Sequence, residues 1–300
     1  LPTTMIFVLS EADFTNPDSV NGRELRAITD AARMMGARVI PLPPDLSEAG
    51  GAEAVFAYVS PADQPSVAVW AGYIPAAGRY HDVFDGLAAK GIPLINTPEQ
   101  HFRAMDFDGF YSRLAEFTPE SRTANTLEEC EQAAEALGYP VFVKGAIKSS
   151  KEQGWKACVA ANADELRHIA GFLLSRERRS RGRIIIRKLA DLRKTGETPG
   201  GFPLSREYRV FLLNGEVISA GYYWEGTEDP WPLSSEEKEA MFGLCRKAAH
   251  LLDVPFVAVD AGQLASGEWI VIETGDAQFC GLSQASLLGL WNHITATTQP

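Results

Sequence analysis

Residues 256–276, FVAVDAGQLASGEWIVIETGD, hold two apolar runs separated by a short polar turn. This pattern predicts two antiparallel β-strands. Asp260 closes the first run and Glu273 closes the second, so the pairing would bring both carboxylates to one end of a sheet. Asp276 follows shortly after. Because neighbouring carboxylates repel unless a cation lies between them, the stretch indicates Mg²⁺ bound through substrate phosphates. Solvated turn carboxylates are the alternative.

A lysine at the end of another apolar run indicates an anion site. The stretch YPVFVKGAIKSSKEQGWKACVA, residues 139–160, places Lys144 before a polar loop. An ammonium beside a turn that offers backbone N–H groups suits a polyphosphate. The chain has no P-loop consensus. The alternative is an edge-strand lysine whose head lies in water.

An arginine alternates with apolar residues in REYRVFLLNGEV, residues 206–217. Arg209 would project from the opposite face of this strand to Tyr208 and Val210. It is either an ordinary exposed residue or a group that steadies a transferring phosphoryl group. The dipeptide Asn214-Gly215 predicts a tight hairpin to the next strand.

The wider pattern predicts an α/β protein in three lobes, at residues 1–100, 101–186 and 187–300. Strand–helix alternation through the first 100 residues predicts a helix-flanked parallel sheet, and a strand is expected in GIPLIN, residues 91–96. In the second lobe, Thr126 with Glu129 and Asn162 with Glu165 predict helix starts. Residues 193–206 are rich in Gly and Pro, which predicts a mobile loop.

Composition excludes several classes of protein. The formal net charge of −11 argues against general coating of nucleic acid. No apolar stretch reaches eighteen residues and no leader opens the chain, so neither a membrane span nor secretion is expected. The four scattered cysteines are typical of a reduced, cytoplasmic protein. A local anion site is compatible with one basic cluster: Arg176, Arg178, Arg179, Arg181, Arg183, Arg187 and Lys188.

Together, the order of these signals resembles the ATP-grasp superfamily over roughly residues 90–285. YPVFVKGAIKSS is similar to its lid strand, IIIRKLADL (184–192) to its hinge, REYRVFLLNGEVI to its phosphate-side strand, and the stretch around Asp260 and Glu273 to its metal hairpin. The segment 95–114, INTPEQHFRAMDFDGFYSRL, resembles the entry to the lid. The Arg-Lys hinge and the Glu-Thr-Gly-Asp ending resemble most the clade named for two arginines and one lysine.

The resemblance implies a role for each matched residue. Lys144 would bind the α- and β-phosphates of ATP, and Arg209 would hold the transferred phosphate. The lid loop would close over the phosphates with Lys148, Ser149, Ser150 and Gly154. The hinge backbone at Arg187, Lys188 and Leu189 would meet adenine, with Asp191 on the ribose. Asp260, Glu273 and Asp276 would bind one or two Mg²⁺ ions.

Two positions depart from the family pattern. Many members carry a further lysine before the lid, but MDFDGF (105–110) has none, so Arg103 or Arg113 is the candidate replacement. Many also carry an asparagine two residues after the metal glutamate. Gly275 stands there, so Asp276 would have to supply the oxygen ligand.

The implied function is ATP-dependent ligation of a carboxylate to an amine through an acylphosphate, on a small molecule or peptide. Such chemistry needs alignment and charge neutralisation, which agrees with the lack of a His-centred triad. One alternative is modification of RNA or protein docked on the arginines of residues 176–183. The other is a non-catalytic nucleotide-binding protein. The presence of all four residues Lys144, Arg209, Asp260 and Glu273 argues against it.

Overall fold

The computed structural model describes residues 4–147, 149–176, 180–198 and 201–297. Its amino-terminal part is a parallel sheet in the order β2-β1-β3, as the sequence predicts. The elements are β1 (Met5–Ser10), α1 (Val20–Met34), β2 (Arg38–Pro41), α2 (Gly51–Val55), β3 (Ser66–Ala71) and α3 (Ala77–Ala88). The strand predicted in residues 91–96 is reduced to one bridge between Ala68 and Leu94, because Thr97 caps the next helix almost at once.

Two short helices lead from this sheet into the rest of the molecule, α4 (Pro98–Met105) and α5 (Phe107–Leu114). Thr97 and Gln100 form a full capping box at the start of α4. Asp106 ends α4 and caps α5 through the backbone N–H of Asp108. The joint between the two helices is therefore fixed by a side chain rather than by a flexible loop.

An antiparallel sheet in the order β4-β7-β5-β6 forms the part that we call the lid. Its elements are β4 (Ser121–Ala124), α6 (Leu127–Leu137), β5 (Val141–Gly145), β6 (Val159–Ala160), α7 (Ala163–Leu174) and β7 (Ile184–Lys188). Thr126 and Asn162 cap the two helices as predicted. Glu129 and Glu165, however, accept hydrogen bonds from the backbone N–H groups of Asn125 and Ala161, so neither helix start has a full capping box.

The segment after β7 is a two-stranded hairpin where the sequence predicted a mobile loop. The prediction of a loop is wrong for the described part of residues 193–206, which forms β8 (Lys194–Glu197) and β9 (Pro203–Ser205). Thr198 supports the turn, since its hydroxyl accepts from the N–H of Phe202 at 3.0 Å.

The carboxyl-terminal sheet, in the order β11-β10-β12-β13, is antiparallel throughout. Its elements are β10 (Glu207–Leu213), β11 (Glu216–Tyr222), α8 (Ser235–Leu252), β12 (Phe256–Gln263), β13 (Trp269–Asp276) and α9 (Leu287–Thr297). Asn214 and Gly215 adopt φ values of 51° and 82°, which confirms the predicted tight hairpin. Helix α8 covers one face of this sheet, and the amino-terminal sheet and α9 cover the other.

The three-lobe division stays a prediction, and its boundary at residue 186 would fall within β7, whose Arg187 and Lys188 still pair with β5. The four cysteines are free thiols, three of them buried. Among the described residues, none of the helices combines the length and apolarity needed to cross a bilayer. The cytoplasmic location likewise stays a prediction.

Candidate functional site

A cleft of about 300 Å³ lies between the lid and the carboxyl-terminal sheet. Strands β5 and β7 supply one wall, the β8–β9 hairpin a second, and β13 the floor. The cleft brings together seven residues that the sequence analysis singled out: Lys144, Ser149, Arg187, Lys188, Leu189, Asp191 and Glu273. These residues come from both sheets, so the site exists only where the lid faces the carboxyl-terminal sheet.

Lys144 and Glu273 form an ion pair across this cleft. The Lys144 Nζ donates to Oε1 of Glu273, and Lys144 is only 5% exposed. Burial lowers the pKa of Lys144, although Glu273 opposes the shift. Burial alone would raise the pKa of Glu273, but Lys144 and Arg187 together hold it below its ordinary value. Lys144 is therefore a desolvated cation that already needs an anion.

Arg187 adds a second buried cation beside this pair. Its Nε donates to the Ser121 hydroxyl at 3.1 Å and its Nη1 to the Ile272 carbonyl at 2.7 Å. The buried Nη2 has no hydrogen-bond partner among the residues that the structure describes. The guanidinium carbon lies 5.9 Å from the ring centroid of Phe107. Phe107 belongs to MDFDGF, the segment before the lid in which many family members carry a further lysine. The Arg187 guanidinium therefore lies beside the segment that lacks this lysine.

The two arginines expected to replace that lysine lie outside the cleft. Arg103 donates to the carbonyl of Leu252 at 2.8 Å and to the carboxylate of Asp253 at 3.1 Å, at the end of α8. Arg113 donates to the carbonyl of Gly109 within its own helix. The expectation for both is corrected, because Arg187 reaches the site from the hinge instead.

Arg209 and Asp260 form a bidentate ion pair next to the cleft. The Nε and Nη2 of Arg209 each donate to one oxygen of Asp260 at 2.8 Å, and its Nη1 donates to the Gly281 carbonyl. Although burial alone would lower it, Asp260 raises the pKa of Arg209 above its ordinary value. Asp260 and Glu273 stand opposite each other in the β12–β13 register, within the strands rather than at their ends. The predicted pairing of the two carboxylates is confirmed.

Comparison with known proteins assigns this arrangement to a family. The model of an ATP-grasp domain, family 3 of the clade named for two arginines and one lysine, matches residues 127–294, more than half of the chain. The chain belongs to that family. Its match covers the lid from α6 onward, the hinge and the sheet with Asp260 and Glu273, as the sequence resemblance implied.

Solved structures with the ATP-grasp fold are similar over almost the whole chain. A RimK domain ATP-grasp protein from Sphaerobacter thermophilus aligns at 15% identity with a TM-score of 0.63, covering 98% of each chain. D-alanine–D-alanine ligase from Bacillus anthracis complexed with ATP aligns at 15% identity with a TM-score of 0.62, covering 91% of this chain and 86% of that one. The ATP-grasp ligase PsnB complexed with precursor peptide PsnA2 and AMPPNP aligns at 15% identity with a TM-score of 0.59, covering 100% of this chain and 98% of that one. These likenesses show a shared fold.

Asp276 does not join the other two carboxylates of this ATP-grasp domain. It lies three residues after Glu273 on β13, so the two side chains project from opposite faces. Asp276 is completely buried, and accepts hydrogen bonds from Asn96, His101 and Gln278 at 2.9 to 3.1 Å. The described residues contain no group of three metal-ligating side chains. The expectation that Asp276 binds metal is therefore corrected: its oxygens are occupied elsewhere.

The charged residues that sequence reasoning missed in the lining of the cleft include Lys151 and Glu207. The Lys151 Nζ lies 5.2 to 5.8 Å from the ring centroids of Phe202, Tyr223 and Trp224, and 3.8 Å from Oε2 of Glu207. Glu207 is 2% exposed, and its Oε2 accepts no hydrogen bond from the described residues. Its position two residues before Arg209, on the same face of β10, was the available signal.

The remaining predicted residues are placed less centrally. Ser150 is buried next to the cleft, and its hydroxyl has no hydrogen-bond partner in the described part of the chain. Gly154 has φ 90° in the turn before Trp155, a conformation that favours glycine. Asp191 is an exposed residue at the edge of the cleft. Lys148 lies outside the described residues.

The basic cluster is divided between different surroundings. Arg183 forms ion pairs with Asp106 and Asp108 of the helix joint, and Arg187 points into the cleft. Arg176 and Arg181 are exposed. Arg178 and Arg179 lie outside the described residues. The described members therefore do not form one continuous basic face.

Proposed function

We propose that the cleft binds ATP with Mg²⁺, and that the protein is an ATP-dependent ligase that joins a carboxylate to an amine. The observation that carries this proposal is the pair of buried cations, Lys144 and Arg187, that face one cleft beside Glu273. Buried cations with an unsatisfied N–H group need an anion with several oxygens, and a polyphosphate supplies it. Membership of the ATP-grasp family supports ATP as that anion.

The base and sugar of the nucleotide fit the hinge side of the cleft. The backbone from Arg187 to Leu189 would meet the adenine edge, with Phe142 on one wall and Ile272 on the floor. We assign the ribose hydroxyls to Glu207 rather than to Asp191. Glu207 offers a buried oxygen without a hydrogen bond, whereas the exposed carboxylate of Asp191 is already hydrated.

The phosphates fit the opposite end, under the loop that follows β5. Lys144 and Arg187 would bind the α- and β-phosphates, with Ser149 and Lys151 closing from the lid. Arg209 lies beside this end, stacked 5.1 Å from the ring centroid of Tyr223. It would stabilise the charge on the transferring phosphoryl group, for which a guanidinium fork is well suited.

Glu273 and Asp260 are suitable Mg²⁺ ligands once the phosphates arrive. Both are carboxylates, they stand opposite each other in register, and Mg²⁺ commonly takes one or two carboxylates plus phosphate oxygens. Bound Mg²⁺ would neutralise phosphate charge during transfer. Without nucleotide, Lys144 neutralises the charge of Glu273 and Arg209 that of Asp260. Each cation would bind a phosphate instead when the nucleotide binds.

The chemistry follows from this alignment. A substrate carboxylate oxygen attacks the γ-phosphorus, the bond to the bridging oxygen of ADP breaks, and an acylphosphate forms. An amine then attacks the acyl carbon and inorganic phosphate leaves with the bonding electrons, while the amine loses a proton to water. Among the structural relatives, D-alanine–D-alanine ligase and PsnB with a precursor peptide bear names compatible with such substrates.

A screen of ADP release tests this function. Carboxylates, both amino acids and short peptides, are paired with amines in the presence of ATP and Mg²⁺, and Glu273→Gln is the matched control. We expect ADP release that requires both substrates and is lost in the control. Tight ATP binding with no ADP release from any pair would favour the non-catalytic alternative.

A further inference from the structure

A second cavity, of about 370 Å³, lies away from the nucleotide cleft. Its walls are the segment after β3, the start of α3, helices α4 and α5, and the lid residues Ile147 and Arg181. The two cavities share no lining residue. His101 lines this second cavity and contacts Asp276, on the face of β13 opposite to Glu273. The cavity is therefore separate from the proposed ATP site.

A buried histidine with a fixed orientation forms part of its wall. His101 is 6% exposed, and its Nδ1 lies 2.9 Å from Oδ2 of Asp276. Its ring stacks on Tyr80 at 4.0 Å between centroids and meets Phe279 edge-on at 5.3 Å. Asp276 is an acceptor, so it places the proton on Nδ1. Nε2 is then the remaining polar atom of the ring and the one available to the cavity.

The charge of the lining is predominantly basic. The ionisable lining residues are His81, His101, Arg103, Arg113 and Arg181, with Glu99, Asp106 and the phenol of Tyr80. Asp106 is neutralised by Arg183, which donates two hydrogen bonds of 2.7 and 2.8 Å to its carboxylate. Arg103 is held at the end of α8 by Asp253.

Two arginines of the lining keep their donors available. Arg113 and Arg181 form no ion pair with a carboxylate of the described residues. They are far apart in the sequence, but the fold brings both to one cavity. Among the described residues, the hydrogen bond of Arg181 is a long one, 3.5 Å to the Pro75 carbonyl. Most of their N–H donors therefore face solvent or the cavity.

The rim of the cavity is apolar. Ile74 and Phe102 are 40% and 54% exposed, and both line it together with Pro75. An inorganic anion would leave this apolar surface in water, whereas an organic anion would cover it. The combination of two guanidinium groups, one imidazole and an apolar rim thus favours an organic ligand with one acidic end.

We propose that this cavity binds a small organic carboxylate. Arg113 and Arg181 hold the carboxylate, the His101 ring lies beside it in the cavity wall, and the apolar part lies on Ile74 and Phe102. Such a ligand would contact both the lid and the amino-terminal part of the chain. Neither the nucleotide nor the ligation chemistry proposed above uses any of these residues.

Titration calorimetry on the full chain tests the proposal. The probes are N-acetylphenylalanine, N-acetylleucine and 3-phenylpropionate, each beside its neutral amide, with inorganic phosphate as a further probe. AMPPNP and Mg²⁺ are present at saturation so that the cleft is filled. The variants are Arg113→Gln and Arg181→Gln, both at exposed positions, and Arg33→Gln on α1 is the matched control.

We expect at least one carboxylate to bind while its amide and phosphate do not. Each cavity variant should weaken that binding about tenfold, the effect of one lost charge-assisted contact, and the control should leave it unchanged. Three results would overturn the proposal: no saturable binding of any carboxylate, equal binding of acid and amide, or equal binding by the cavity variants and the control. None of these depends on turnover, so the ligase proposal is tested separately.

Discussion

Glu273 and Asp276 lie three residues apart on β13, yet they have opposite environments. Glu273 faces the cleft, pairs with Lys144, and has a side chain that is 40% exposed. Asp276 faces the other side, has no exposed surface, and binds Asn96, His101 and Gln278. A carboxylate whose partners are all internal stabilises the fold. One whose partners face a cavity remains available to a ligand.

The surroundings of the two carboxylates also differ in their buried polar atoms. Around the cleft, Nη2 of Arg187, Oε2 of Glu207 and the Ser150 hydroxyl are buried without hydrogen bonds to the described residues. Around Asp276 every carboxylate oxygen has a donor. Buried polar atoms without partners are rare in native proteins and need an explanation. A ligand that brings oxygens and hydroxyl groups provides one for the cleft.

The largest expected effect concerns turnover. Asp260→Asn combined with Glu273→Gln removes both proposed metal ligands, so ADP release should fall by about a thousandfold or more, since metal neutralises the transferring group. Circular dichroism should show that the variant is folded. Undiminished ADP release would show that neither residue is a required metal ligand. Glu273 and Asp276 would then not differ in metal binding.

The next effect concerns stability. Asp276→Asn leaves buried donors of His101 and Gln278 without an acceptor, so the free energy of unfolding should drop by about 3 kcal/mol. Denaturant unfolding measures it. Asp253→Asn, at an exposed ion pair with Arg103, is the control and should cost less than about 1 kcal/mol. Equal losses in the two variants would mean that Asp276 is not a structural anchor.

A smaller effect distinguishes the role of Lys144 from that of Arg209. Lys144→Ala should weaken ATP binding about ten- to a hundredfold, because one charge-assisted phosphate contact is lost. Lys144→Arg should restore it only in part, since a guanidinium cannot replace a compact ammonium. Arg209→Ala should instead lower kcat more than it raises KM for ATP. An unchanged ATP affinity in Lys144→Ala would show that Lys144 only anchors Glu273.

The smallest expected effect is a pH dependence. Burial lowers the pKa of Lys144, so this ammonium loses its proton below the ordinary value of 10.5. Burial alone would also lower the pKa of Lys151, but Glu207 raises it above that value. The affinity of the free protein for AMPPNP should therefore fall as the pH rises toward 10.5. In Lys144→Ala the same titration should be flatter. A wild-type profile no steeper than that of the variant would contradict the assignment.

The sequence was sufficient for the parts of the site that lie within one motif. The apolar runs around Asp260 and Glu273 predicted the hairpin and the pairing of the two carboxylates, although these lie within the strands and not at their ends. The run before Lys144 predicted a strand of the lid. Asn214-Gly215 predicted a tight turn because few residues other than these accept positive φ.

The sequence was insufficient wherever two distant segments meet. Arg187 was assigned to the hinge by its backbone, but its side chain crosses to Phe107, which no local pattern records. Asp276 was assigned to the metal because it follows Glu273, yet Asn96 and His101 approach it from another part of the chain. Side-chain alternation along β13 places Glu273 and Asp276 on opposite faces, and the sequence analysis did not apply it to them.

Metal binding monitored by electron paramagnetic resonance tests the central contrast most directly. Mn²⁺ in place of Mg²⁺ is titrated into the protein with AMPPNP, using wild type, Glu273→Gln and Asp276→Asn below its unfolding temperature. Loss of nucleotide-dependent Mn²⁺ binding in Glu273→Gln, with near wild-type binding in Asp276→Asn, is the result that the account predicts. Retained binding in Glu273→Gln together with loss in folded Asp276→Asn would contradict it.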